Sequence, residues 1–121
     1  DYVLIPVRPS PYALSGMQDL IRTITMVKKN LNSDLKILGI VINQIEGRKT
    51  VLQNDMKNIL HSNFKDLVFK SMIRKKIKLE ESPLFQKDIT SYHQNCPSAD
   101  EFIKLTKELL KKINKKEKNE K

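Results

Sequence analysis

An α/β fold with a mostly parallel sheet, part of a doubly wound arrangement, follows from three features of this sequence. Two apolar runs, residues 2–7 and 35–42, are continuous rather than alternating, which marks strands buried on both faces. A third run lies at Leu67-Val68-Phe69 and Met72-Ile73. Between and after the runs, apolar residues recur every three or four positions, the spacing of an amphipathic helix. The predicted order is β-α-β-α-β-α, and such alternation places helices on both faces of the sheet.

The first strand, Tyr2–Val7, carries β-branched residues and is closed by Pro6 and Pro9. Proline fixes φ and pushes its predecessor out of the helical region, so Arg8-Pro9-Ser10-Pro11 is a loop. After Gly16, the residues Met17, Leu20, Ile21, Ile24, Val27 and Leu31 form one helix face. Asp19 near its start and Lys28-Lys29 near its end suit the helix dipole. The second strand, residues 35–42, is followed by a polar loop, residues 43–49, containing Gly47. Residues 50–61 carry Leu52, Met56, Ile59 and Leu60 at helical spacing. Beyond the third strand, residues 74–78 read as a basic loop and residues 79–85 as a short helical turn around Pro83. Residues 88–97 read as irregular. Ser98-Ala99-Asp100-Glu101 has the spacing of a capping box, in which the Ser hydroxyl accepts from a free helix amide and Glu reaches back. The last helix then shows Phe102, Leu105, Leu109 and Ile113 on one face.

A chain of 121 residues is one domain at most. Three strands are few for a sheet whose first strand is of the buried type, and the chain opens on Asp1 in mid-strand. Upstream strands in a longer protein are therefore expected. No run approaches the roughly 20 apolar residues of a membrane span. The last helix carries no apolar residue after Ile113, so no membrane partner is expected. The net charge of +9 favours polyanionic partners. Part of it lies in residues 111–121, where six lysines face Glu117 and Glu120. That stretch reads as a solvated helix end, leaving residues 1–110 as the folded segment. The one cysteine, Cys96, excludes an intrachain disulfide and reads as a loop residue. His61 and His93 lie far apart without ligands at metal spacing, and Glu80-Glu81 reads as an ordinary charged helix turn.

The opening DYVLIPVRPSPYALSGM resembles the segment A-D-x-V-L-I-P-V-x-P-x-x-Y-A-L-x-G-L that follows the Walker B region in ParA/Soj/MinD-type ATPases. Further matches follow in the family's order. LGIVINQ resembles its next strand, Val68-Phe69 through Ile73 its V-F-x-T-x-I-P-R strand, and Leu79-Glu80-Glu81-Ser82-Pro83 its L-x-E-A-P turn. Residues 100–109 resemble its last helix. The resemblance runs from residue 1 to about residue 110. It implies the C-terminal half of a P-loop NTPase domain that binds ATP with Mg²⁺ and forms a homodimer around it. It further implies non-specific DNA binding by that dimer, and hydrolysis stimulated by a partition partner bound at a centromere-like site. Such a protein is cytoplasmic and nucleoid-associated and segregates plasmids or chromosomes. Tyr12 matches a structural position of the motif and is expected to pack.

Phosphate cradling needs G-x-x-x-x-G-K-[ST] at a helix start. The three glycines, Gly16, Gly39 and Gly47, do not fit that spacing, so this segment alone is expected to be without ATPase activity and to hold no catalytic residue. Asn43 ends the second strand, where α/β sheets take ligands, and its amide both donates and accepts. The resemblance assigns it to adenine. Arg74 stands where the family has the proline of I-P-R beside the base, and a guanidinium plane can stack there. Arg48, in Glu-Gly-Arg-Lys-Thr, matches a family arginine linked to DNA binding, and Lys78 matches a second basic position. With Lys49, Lys75 and Lys76 they are expected to meet phosphates without reading bases. No aromatic residue is interleaved with these charges, which disfavours stacking on single strands. A second reading stays open: a stand-alone basic DNA-binding or dimer-interfering module with no ATPase activity.

Overall fold

The computed structural model describes residues 1–46 and 51–119. Strands β1 (Tyr2–Val7), β2 (Lys36–Ile45) and β3 (Val68–Arg74) form one parallel sheet in the order β1-β2-β3. The crossovers are α1 (Ala13–Asn30) and α2 (Val51–Phe64). Both cover one face, where Met17, Ile24 and Leu60 meet Ile5, Val7, Ile40, Ile42 and Val68. The opposite face carries Leu38, Val41, Phe69 and Ile73 beneath Phe102, Leu105, Leu109 and Ile113 of α5 (Pro97–Asn119). Before α5 come two short helices, α3 (Ile77–Glu81) and α4 (Ile89–Tyr92), separated by a 3₁₀ turn at Ser82–Phe85.

This layering explains why β2 has no polar alternation. Ile40 and Ile42 face one helix layer and Val41 the other, and all three are at most 3% exposed. The register between β1 and β2 skips Leu38, since Val3 pairs with Ile37 and Leu4 with Gly39. Gly39 is where Phe69 comes down onto the sheet. A Cβ there would run into the Phe69 ring and approach Leu67 O to 2.6 Å.

Several boundaries differ from the sequence expectation, each for a packing reason. Helix α1 starts at Ala13, so Gly16 lies inside it. One interior glycine costs about 1 kcal/mol, less than docking an amphipathic face returns. Ala13, Leu14 and Met17 fill the space against the sheet, which leaves Tyr12 outside, 85% exposed; the packing expectation for Tyr12 is thus overturned. On the predicted apolar face, Leu20 and Leu31 are exposed, Leu31 because it lies just past the helix end. Strand β2 continues to Ile45, which is buried and pairs with Arg74. Helix α2 extends to Phe64, which packs against the core.

Residues 88–97 are not irregular throughout. Asp88 caps α4, accepting from Ser91 N at 2.7 Å and Thr90 Oγ1 at 2.6 Å. These bonds, that from Thr90 foremost, hold its carboxyl below the usual carboxylate range. The expected capping box is also replaced. Helix α5 starts at Pro97, and the buried Cys96 Sγ accepts from Ala99 N at 3.4 Å. Proline at the first helical position fixes φ there and places Ser98 within the first turn, where it is buried. Glu101 turns to the sheet instead of the cap.

Helix α5 runs unbroken to Asn119, and two of its lysines are engaged against the body. Lys112 Nζ sits 4.1 Å from the centre of the Phe69 ring and donates to Asp66 O. Lys116 Nζ donates to Ile37 O at 2.6 Å. Burial, followed by the charges of Lys36, Lys112 and Lys28, lowers the Lys116 amine below its ordinary range.

Candidate nucleotide and nucleic-acid site

The carboxyl ends of the three strands open into a cleft of about 410 Å³. Ile73, Leu79 and Phe102 give it apolar walls; Arg8, Asn43, Gln44, Arg74, Lys75, Lys76 and Glu80 supply the polar ones. Each strand contributes. Arg8 follows β1, Asn43 and Gln44 belong to β2, and Arg74 ends β3.

Asn43 is half-buried, and its Oδ1 accepts from Gln44 N at 2.8 Å. Gln44 has φ +54°, a left-handed conformation that non-glycine residues rarely take. The bond holds the Asn43 amide by its oxygen. Arg74 is tied from two sides. Its backbone N donates to Glu101 Oε1 at 3.3 Å, and its Nε lies 3.7 Å from Glu101 Oε2. The main chain then passes directly into the basic stretch, with Lys75 N donating to Ile45 O at 2.9 Å. Lys76 is the residue before α3 and is exposed.

Four of the residues singled out in sequence therefore meet in one cleft: Asn43, Arg74, Lys75 and Lys76. Lys78 does not join them. The predicted basic loop is a strand end followed by a helix, and only Lys75 and Lys76 lie between the two. At the second position of α3, Lys78 Nζ lies 3.5 Å from Glu81 Oε2 and 5.8 Å from the centre of the Tyr92 ring. Tyr92 in turn donates to Glu81 at 3.0 Å and stacks on Phe85 with centroids 5.2 Å apart. Burial, with help from Glu81, raises the Tyr92 phenol above its ordinary range. The aromatic neighbours missing from the linear sequence around Lys78 are thus supplied by the chain folding back. Arg48 and Lys49 lie outside the described residues.

Sequence reasoning passed over Arg8, Gln44 and Glu101. Arg8 was legible from its place just past a strand's carboxyl end. Gln44 and Glu101 carried no such signal. Mg²⁺ prefers several oxygen ligands, whereas Glu80 is the one carboxylate among the cleft's lining residues, beside four cations. These residues do not fit a metal, and among the described residues no cluster of His, Cys, Asp or Glu does. Gly16 and Gly39 sit in a helix and a strand, so neither shapes a phosphate-cradling loop.

A parallel three-layer fold with its cleft at the strand carboxyl ends defines an α/β domain of the ligand-binding kind. Comparison with known proteins narrows this. Residues 4–89 match the CobQ/CobB/MinD/ParA nucleotide binding domain. The chain is 33% identical over 112 residues to the chromosome partitioning protein ParA of Myxococcus xanthus, covering 93% of this chain and 39% of that protein. It is 34% identical over 109 residues to the sporulation initiation inhibitor protein Soj of Bacillus subtilis, covering 90% and 43%. With the chromosome-partitioning ATPase Soj of Thermus thermophilus it shares 32% identity over 111 residues, covering 92% and 44%. The chain belongs to the CobQ/CobB/MinD/ParA nucleotide-binding family, and the relatives it is similar to are ParA and Soj proteins. It spans about two fifths of the length of these curated relatives.

Proposed function

We propose that this chain is the base-side and DNA-facing portion of a partition ATPase. The observation that supports the reading is the single cleft joining Asn43 to Arg74, Lys75 and Lys76. Ile73, Leu79 and Phe102 offer an apolar wall to adenine, and the Asn43 amide pairs with its edge. Arg74, steadied by Glu101, lies flat beside the base. Lys75 and Lys76, with Arg48, Lys49 and Lys78, meet DNA phosphates independently of sequence. In this reading the phosphate loop and the Mg²⁺ ligands belong to residues other than those described. The ATP-state homodimer, the centromere-bound partner that stimulates hydrolysis, and a cytoplasmic, nucleoid-associated location are parts of the same proposal.

The test is binding of this chain to labelled duplexes of unrelated sequence, from about 50 to about 200 mM salt. Each phosphate contact removed lowers the slope of log K against log salt by about 0.9. The double variant Lys75→Ala, Lys76→Ala should therefore bind all duplexes more weakly, with a slope shallower by about 2. An unchanged slope would remove these lysines from the interface. In a chain of the relatives' full length, DNA affinity that ignores ATP would favour the stand-alone basic module instead.

A further inference from the structure

The lysines of α5 fall into two sets. Lys112 and Lys116 reach backbone carbonyls of the body. Lys104, Lys107, Lys111, Lys115 and Lys118 are exposed and succeed one another at intervals of three, four, four and three residues. That spacing keeps all five on one face of the helix, in a row about 21 Å long with roughly 5 Å between neighbours. Among the described residues, none of the five has a carboxylate within ion-pair distance. Like charges held in a row repel one another, and opposite charges laid along it relieve that repulsion.

The row also borders a hollow. Helix α5 runs antiparallel to β3, since Glu101 meets Arg74 N while Glu108 meets Lys70 N and Ser71 N. Between the two lies a gutter of about 680 Å³, lined by Lys70, Lys107, Lys111 and Lys115 with Glu108 and Lys112. It continues toward Pro97 in a hollow of about 330 Å³ that Lys70 and Lys104 also line. The two glutamates already accept from the β3 amides, so a strand cannot add to the edge through them. What the gutter offers a partner is lysine charge at a helical period. Carboxylates three and four residues apart on a second α-helix repeat at the same interval and stay in step along the row. The phosphates of a duplex strand advance about 3.4 Å per nucleotide and wind away from a straight row. A second copy of this chain brings the same net charge of +9 and is repelled.

We propose that this face of α5 is a docking surface for an acidic helix of a partner protein, whose carboxylates lie along the lysine row at the mouth of the gutter. None of the five lysines lines the cleft at the strand carboxyl ends, so the inference stands apart from the nucleotide and DNA reading above.

The test is a titration of the intact chain at low salt, followed through backbone amide shifts by NMR. The probes are two synthetic alanine-based peptides, each stapled into a helix and each carrying the same number of glutamates as the row has lysines. In one the glutamates repeat at three, four, four and three residues; in its isomer they are spread around the helix. The striped peptide should bind about tenfold more tightly than its isomer, because exposed ion pairs contribute little singly and add up only in register. Its shifts should fall on residues 104–118 and 70–74. The double variant Lys107→Glu, Lys111→Glu should bring the striped peptide down to the level of its isomer. Both positions are exposed, so the variant removes no core packing. Lys29→Glu with Lys87→Glu makes the same change of net charge at exposed positions outside the row and should leave the preference intact.

Equal binding of the two peptides by the wild-type chain would overturn the proposal. So would an equal loss of the preference in both double variants, or shifts confined to the strand carboxyl ends. If a duplex of unrelated sequence lost affinity in Lys107→Glu, Lys111→Glu while neither peptide bound, the row would belong to nucleic acid and the proposal would fail.

Discussion

At the scale of single residues, Gly39 and Cys96 show how close packing assigns roles that residue type does not announce. Gly39 sits in a strand, where glycine ordinarily weakens a ladder. It is kept there by Phe69, which is 1% exposed and occupies the space a side chain would need. Gly39→Ala should destabilise the chain by about 1–3 kcal/mol, the usual penalty of overpacking. Urea denaturation reads this as a lower midpoint; an unchanged midpoint would mean that Phe69 shifts freely. Cys96 sits at the N-terminus of α5 as a buried cap, packed in a cluster with Ile89 and Ala99. Its spacing from Ala99 was visible in sequence, but thiols are weak acceptors, and Ser98 was the stronger candidate by type.

At the scale of elements, α5 closes the outer edge of β3. An edge strand presents unpaired N–H groups that can template aggregation. Glu108 accepts from two of them, Lys70 N and Ser71 N, both at 2.8 Å, and Glu101 takes Arg74 N two helical turns earlier. Burial opposes the charge on Glu108, but the bonds from Ser71 and Lys70 and the nearby Lys112 prevail and lower its carboxyl below the usual range. A group depressed in the folded state contributes stability above its unfolded value, about 4.3 for glutamate. That contribution is lost as pH falls through the lower folded value. Glu108→Gln should therefore flatten the fall in stability below about pH 4.3, because its edge contact does not titrate. Glu108→Ala should cost about 2 kcal/mol at neutral pH, as charge-assisted bonds are removed. Thermal melts of the three proteins across pH 3–7 check both statements. Identical acid limbs for the wild-type chain and Glu108→Gln would remove Glu108 from the account.

At the scale of the whole molecule, the two edges of the sheet are unlike. The β3 edge is answered by carboxylates, whereas the outer edge of β1 pairs with no strand among the described residues. Self-association of the isolated chain should therefore proceed through β1. Sedimentation at increasing concentration should show a growing oligomer fraction. A monomer at every concentration would contradict this. The positive charge is likewise divided. One group lines the strand carboxyl ends with Arg8, Lys75 and Lys76, and another, with Lys112 and Lys116, is bound down along α5 against the body. Net charge alone does not distinguish the two, because it counts lysines whose donors are already engaged.

The sequence by itself determined the order of the main elements, the parallel sheet and the family. These depend on local pattern: an uninterrupted apolar run such as Leu38 to Ile42 has few stable alternatives once amphipathic helices flank it. It also marked Asn43 as the residue near a strand's carboxyl end. Only the tertiary structure decided which charged side chains share a space. Lys75, Lys76 and Lys78 are near neighbours in sequence, yet the start of α3 sends Lys78 to Glu81 and Tyr92 and leaves the other two facing Asn43. Arg8 and Lys75 are 67 positions apart, yet both line the cleft because β1 and β3 flank β2. The physical reason is one of range. Hydrophobic periodicity acts within a few residues along the chain, while a binding site is assembled by strand ends that only the closed sheet brings together.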